Sequence, residues 1–185
     1  MNSTYIIIAV VLILVIMGAI MAPNFILHKR SEKLHDQFGP EYDHTVKILG
    51  DEKKANAELV ERQKRVNALN ILPLSTSKRE HYLADWAAIQ SKFVDKPGEA
   101  VTDADDLIME VMQLRAYPVS DFEQRAADVS VSYPAMVSKY RTAREISVKN
   151  ERQEANTEEL RQAMIHYRSL FEELLKPEID IVMEK

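Results

Sequence analysis

The sequence predicts an all-α protein, with a single N-terminal transmembrane helix followed by a multi-helix soluble domain. Residues 1–27 contain no charged side chain and include an unbroken apolar run at 5–22. Downstream, charges are frequent and apolar residues recur at intervals of three and four, the period of an amphipathic helix. Neither Asn-Gly nor Asp-Gly hairpin turns occur, and sustained alternation is rare, so strands are not expected.

The apolar run at 5–22 predicts an uncleaved membrane anchor at residues 1–27. At about 1.5 Å of rise per residue, it covers most of a hydrocarbon core about 30 Å thick. Unpaired backbone groups are costly in lipid, so the run should be helical. A cleaved signal peptide is the alternative, but residues 1–4 lack Lys and Arg, and residues 19–22 make a poor cleavage site.

Charges beside the anchor predict its orientation. His28, Lys29, Arg30 and Lys33 follow the apolar run, whereas the N-terminal side is uncharged. Because cationic residues resist translocation, we expect the N-terminus outside and the soluble domain in the cytoplasm. The absence of cysteine fits a reducing compartment. The reverse topology, with an extracytoplasmic domain, stays the alternative.

Proline, glycine and capping residues predict the helix boundaries. Pro40 after Gly39, and also Pro97 and Pro134, suit the first turn of a helix. Capping-box spacing occurs at Ser77 and Glu80, Ser120 and Glu123, and Asn156 and Glu159. The predicted helices span 5–38, 40–49, 51–70, 77–95, 97–116, 121–129, 134–150 and 157–176. The predicted domains are the anchor at 1–27, a charged juxtamembrane helical segment at 28–70, a helical bundle at 71–176 and a flexible tail at 177–185.

Apolar stripes predict which helix faces form the core. One comprises Tyr82, Trp86, Ile89 and Phe93, and another comprises Leu160, Met164, Tyr167, Phe171 and Leu174. The helix at 51–70 differs, because its apolar positions are few and charges crowd the rest. We interpret it as a surface helix over the core, and pairing with another helix of this or a second chain is the alternative.

The most specific polar segment surrounds Arg125. Asp121 and Asp128 lie four and three residues away, so both carboxylates are expected to reach the guanidinium on one helical face. A structural knot between helices is one interpretation, and a binding site built on Arg125 with Glu123 or Gln124 is the other. The candidate ligand- or partner-binding residues are Asp121, Glu123, Arg125, Asp128, His166 and Tyr167.

The sequence contains no motif typical of metal binding, phosphate binding or nucleophilic catalysis. The five histidines fit no metal-ligand spacing and cysteine ligands are missing, so no metal site is predicted. Four glycines leave no phosphate-binding loop, and no nucleophile motif occurs. We therefore predict no cofactor and name no catalytic residue. The net charge of −5 is spread among interspersed acids and bases, which argues against a nucleic-acid partner.

Four segments resemble a family of bacterial single-pass membrane proteins with no assigned activity. They are 38–43 (FGPEYD), 79–93, 117–128 with its DFEQRAAD piece, and 160–175 (LRQAMIHYRSLFEELL). The resemblance covers nearly the whole chain and implies one membrane helix, a basic flank and a helical domain in the bacterial cytoplasmic membrane. This chain departs from the family at Gln37, where an arginine is usual. It also departs at 132–133, where an acidic residue and a histidine are usual, so a His-dependent activity would not carry over.

These observations favour a membrane-tethered helical interaction module, an adaptor or scaffold, over an enzyme. The expected partners are the membrane and either a second protein or another copy of this chain. The helix at 51–70 and the Arg125 neighbourhood are the expected contact surfaces. The alternative is a small-ligand binder or enzyme with a pocket between helices near Arg125 and His166.

Overall fold

The computed structural model describes residue 29 and residues 31–176, and every regular element in that part of the chain is an α-helix. This confirms the all-α prediction for the described residues. None of their helices is both long and apolar enough to cross a bilayer. The predicted anchor at 1–27 and the predicted tail at 177–185 lie outside the described residues.

The chain divides into two compact units, Met1–Ala57 and Glu58–Lys185. In the first unit, helical residues 31–38 (α1) are followed by α2 (Pro40–Leu49) and the start of α3 (Glu52–Asn67). Gly39 and Gly50 have φ of 51° and 66°, a left-handed conformation that glycine adopts at little cost, and they bracket α2. Phe38 is fully buried, and the Ser31 and Tyr42 hydroxyls lie 2.5 Å apart.

The second unit contains the end of α3 and five further helices. They are α4 (Thr76–Asp95), α5 (Pro97–Leu114), α6 (Phe122–Ser132), α7 (Pro134–Glu151) and α8 (Thr157–Leu174). Helix α5 packs against α4, α7 and α8, while α7 also packs against α6 and α8. Both predicted apolar stripes contribute to this core, where the rings of Trp86 and Phe171 stack with centroids 4.8 Å apart.

Local chemistry explains where these helices begin. Pro40, Pro97 and Pro134 each open a helix, as predicted. Asn156 and Glu159 form the predicted capping box of α8. The other two predicted caps are wrong. Ser75, not Ser77, accepts from the Lys78 amide to cap α4, and Asp121, not Ser120, accepts from the Gln124 amide to cap α6.

Two helix ends differ from prediction by three residues. Helix α3 ends at Asn67 rather than residue 70, and the chain continues through Leu69, which packs on the core of the second unit. Helix α6 runs to Ser132 rather than residue 129, because its later residues Val129 and Ser130 are still buried. Pro134 then begins α7, so residue 133 is the only break between the two helices.

A buried arginine fastens distant parts of the second unit together. Arg115, which follows α5, is 3% exposed. Its Nε donates to the Leu72 carbonyl oxygen at 3.2 Å. Its Nη1 donates to the Tyr133 hydroxyl at 2.8 Å and to the Leu174 carbonyl oxygen at 3.0 Å. One guanidinium therefore joins the segment before α4, the α6–α7 junction and the end of α8.

Candidate functional site

Arg125 lies inside the second unit, where only 5% of the residue is exposed. Its Nε donates to the Tyr140 hydroxyl at 3.2 Å, and its Nη1 donates to the Val119 carbonyl oxygen at 3.3 Å. The guanidinium carbon also lies 5.8 Å from the centre of the Phe122 ring. These contacts join α6 to α7 and to the loop that precedes α6.

The expected pairing of Arg125 with Asp121 and Asp128 is wrong. Asp128 is fully buried and accepts from Arg65 of α3, at 3.0 Å from Nε and 2.8 Å from Nη2. The Gln124 side-chain amide donates to the same carboxylate at 3.0 Å. Asp121 instead caps α6 through the Gln124 backbone amide at 2.9 Å. Helical spacing allowed both pairings, but a residue from a different helix supplies the cation.

Glu123 lies on the exposed surface of α6. Its side chain is 71% exposed and forms an ion pair with Arg141 of α7 at 2.5 Å. Exposed pairs of this kind contribute little to stability, because water screens them and two long side chains must be held in place. Glu123 therefore belongs to the surface of the α6–α7 pair and lies away from the buried groups around Arg125.

A buried polar cluster that the sequence did not predict lies between α5, α7 and α8. Asp105 is 4% exposed and accepts from Arg144 Nη1 at 3.0 Å. Burial raises the pKa of the Asp105 carboxyl despite the nearby arginines, because desolvation disfavours the charged form. Tyr167 is fully buried beside it, and burial together with the Asp105 carboxylate raises the pKa of the phenol well above its usual range.

Two polar atoms of this cluster have no hydrogen-bond partner among the described residues. They are Asp105 Oδ1 and the Tyr167 hydroxyl oxygen. The rings of Tyr140 and Tyr167 meet edge to face with centroids 6.2 Å apart, which connects the cluster to Arg125.

His166 occupies a different environment from its neighbour Tyr167. It is half-buried, and its Nδ1 lacks a hydrogen-bond partner within the described part of the chain. Burial and the nearby Lys139 lower the pKa of the imidazole, so its neutral form is favoured near neutral pH. Of the six candidate residues, Arg125 and Tyr167 are joined through Tyr140, while Asp128 and Asp121 serve other contacts of α6.

An open groove lies between α4 and α8, at a place that the sequence did not mark. Its volume is about 180 Å³, and we call it the α4–α8 groove. None of the six candidate residues lines it. The lining side chains are Trp86, Gln90, Phe93, Arg161, Met164, Ile165 and Arg168.

The α4–α8 groove combines an apolar floor with a basic rim. Trp86 and Met164 are buried at its base, while Ile165 is 44% exposed. Arg161 and Arg168 are half exposed, and each is paired with a glutamate of α8 itself, Glu158 or Glu172. Trp86 and Met164 belong to the predicted apolar stripes and were expected only in the core. A stripe in the sequence does not show which of its edges a neighbouring helix leaves uncovered.

No group of three or more His, Cys, Asp or Glu side chains in the described residues could hold a metal ion. No protein-family model, no curated protein and no solved structure matches this chain. The resemblance to bacterial single-pass membrane proteins therefore stays a prediction, and functional inference depends on the side chains themselves.

Proposed function

We propose that this protein is a membrane-tethered helical interaction module. Residues 1–27 would hold it at the bacterial cytoplasmic membrane, with the helical units on the cytoplasmic side. The α4–α8 groove would receive a segment of a protein partner. Tethering confines the domain to a surface and raises its effective concentration toward other membrane-bound proteins, which favours weak contacts.

The observation that carries this proposal is the apolar floor of the α4–α8 groove. Concave surfaces that combine an apolar lining with a few polar groups are typical of binding sites. Ile165 and Phe93 are accessible there beside the buried ring of Trp86. Aromatic residues and arginine are also the types that contribute most to protein interfaces, and this groove is lined by both.

The alternative, a small-ligand site near Arg125 and His166, has weaker support. A ligand there would have to reach Arg125, which is almost wholly buried and already donates to Tyr140 and Val119. Tyr167 is fully buried as well. The groove offers accessible side chains, whereas these residues hold helices together.

Site-specific photo-crosslinking in cells would test the proposal. A photoreactive amino acid in place of Gln90 would line the groove. The same amino acid in place of Ala88, which is exposed on the same helix, is the matched control. Two residues along a helix turn the side chain by about 200°, so Ala88 faces away from the groove. We expect a defined protein adduct from position 90 and none from position 88.

Two further variants make the crosslinking result decisive. Reversing the rim charges with Arg161→Glu and Arg168→Glu should reduce the adduct several-fold if the groove binds the partner. Deleting residues 1–27 should reduce it as well if tethering matters. Equal adducts from positions 90 and 88, or an adduct indifferent to the rim charges, would refute the groove as the binding site.

The proposed topology has its own test. The chain contains no cysteine, so Ser77→Cys on the exposed first turn of α4 creates a single thiol. A membrane-impermeant maleimide should label it only after the cells are lysed. Labelling of intact cells would place the domain outside the cytoplasm.

A further inference from the structure

We propose that residues 178–183 of this chain occupy the α4–α8 groove until a partner displaces them. This inference rests on the proposed function and names how that same site is regulated. The chain would then carry a competitor for its own partner, covalently attached at the end of α8.

The groove selects an occupant with apolar side chains and carboxylates. Its floor is apolar, and its two charged lining residues, Arg161 and Arg168, are both cations. Their present partners, Glu158 and Glu172, lie three and four residues away on the same helix and are more than half exposed. Exposed pairs of this kind contribute little, so an incoming carboxylate can replace them at low cost.

Residues 178–183 provide both kinds of side chain, with acidic and apolar residues alternating over the first four positions. It reads Glu178, Ile179, Asp180, Ile181, Val182 and Met183. Side chains of an extended segment point alternately to opposite sides, so both acids share one side while the two isoleucines and the methionine share the other. The apolar side can face the floor of the groove, with the acids directed to the arginine rim.

Chain length allows this segment to reach the groove from its own helix. Helix α8 ends at Leu174, and Ile165 lies nine residues earlier, which is about 14 Å at 1.5 Å per residue. Residues 177–183 in extended form span about 23 Å, which covers the way back from Lys176 to the level of Ile165 and leaves about two residues for the turn. Pro177 cannot continue a helix with normal hydrogen bonding, so it suits the required reversal.

Intramolecular attachment favours this occupant over a free peptide of equal affinity. A short flexible connection gives a local concentration in the millimolar range. A partner must therefore exceed that advantage or reach a high local concentration itself, which membrane tethering supplies. The apparent affinity for a partner falls by the fraction of molecules whose groove is already filled.

Disulfide trapping in the full-length chain would test the proposal directly. With no native cysteine, Gln90→Cys combined with Ile181→Cys introduces the only possible pair. Ala88→Cys with Ile181→Cys is the matched control. Under mild oxidation we expect an intramolecular disulfide to form at least tenfold faster for the Gln90 pair, seen as a monomer of altered mobility on a non-reducing gel. Adding Arg161→Glu and Arg168→Glu should slow it several-fold.

Other outcomes would overturn the inference in distinct ways. Equal rates for the two pairs would show that the segment does not favour the groove. A disulfide-linked dimer from the Gln90 pair would assign the groove to the segment of a second copy.

Photo-crosslinking from position 90 in a chain truncated after Lys176 distinguishes a failure of the proposed regulation from a failure of the proposed function. A stronger partner adduct in the truncated chain supports the regulation. An unchanged adduct, together with equal disulfide rates, refutes the regulation while leaving the partner site in place. Disulfide trapping without any partner adduct would refute the proposed function alone.

Discussion

Removing the guanidinium of Arg65 should destabilise the second unit strongly. The Asp128 side chain is fully buried, whereas 37% of the Arg65 side chain is exposed. Arg65→Met keeps most of the aliphatic stem but leaves the carboxylate with only the Gln124 amide as a donor. Breaking a buried ion pair from one side costs about 3–5 kcal/mol, and we expect about 3 kcal/mol here because Gln124 remains and water reaches the arginine.

Equilibrium denaturation of the full-length chain would measure this loss. Trp86 is the only tryptophan and lies in the core of the second unit, so its fluorescence follows the unfolding of that unit. A loss of about 3 kcal/mol corresponds to a fall in Tm of about 6–12 °C for a domain near 150 residues. Lys64→Met is the matched control, because Lys64 is the adjacent residue and its pair with Glu61 is exposed. Its expected change is below about 0.5 kcal/mol.

A double variant separates the ion pair from other effects of the substitution. Arg65→Met with Asp128→Leu removes both charges, so no unpaired carboxylate stays buried. We expect most of the lost stability to return, since replacing a whole buried pair by apolar side chains is often neutral. If Arg65→Met lay within about 0.5 kcal/mol of the wild type, Asp128 would not depend on Arg65 and the assignment would be refuted.

Three further predictions concern other described residues. Tyr140→Phe should cost about 1–3 kcal/mol, since it takes an acceptor from a buried arginine. Tyr167→Phe should cost less, because the Tyr167 hydroxyl makes no direct hydrogen bond of normal length among the described residues; thermal unfolding compares the two. Asp121→Ala should lower the free energy of unfolding by about 1 kcal/mol, and Ser120→Ala should not, because only Asp121 caps α6; equal losses would contradict that assignment. Burial lowers the pKa of His166 in the folded state. The stability that neutral His166 contributes is therefore present above the unfolded-state pKa near 6.5 and is lost as pH falls through the folded-state pKa. His166→Gln should flatten the dependence of Tm on pH across that range.

The sequence predicted elements well where their determinants are local. Asn156 with Glu159 defines the start of α8, and Pro97 and Pro134 define the starts of α5 and α7. Each of these determinants acts within one helical turn. The cap of α6 was missed by one position, because Ser120 and Asp121 are both good capping residues. The extended backbone of Asp121, with φ of −130° and ψ of 163°, decides between them.

Contacts distant in sequence could not be predicted in the same way. Arg125 was expected to pair with acids on its own helix, but it donates to Tyr140, fifteen residues away. Asp128 takes its cation from Arg65, sixty-three residues away. Which cation serves a buried carboxylate depends on which helices pack together, and helical periodicity gives only the face that each one buries.

The α4–α8 groove was missed for a related reason. Trp86 and Met164 belong to stripes that correctly predict buried faces. Helices α4 and α8 both pack on α5, and this arrangement determines how far the outer edges of their stripes are covered. An apolar stripe therefore predicts the core, whereas the uncovered edge that could bind a partner follows only from the tertiary arrangement.

The buried contacts of Arg115 have a consequence for synthesis of the chain on the ribosome. Its guanidinium donates to the carbonyl oxygens of Leu72 and Leu174, which are one hundred and two residues apart. During translation, Arg115 is made fifty-nine residues before Leu174, and a buried cation with an acceptor missing is costly. The nascent second unit should therefore complete its folding only as the last helix emerges.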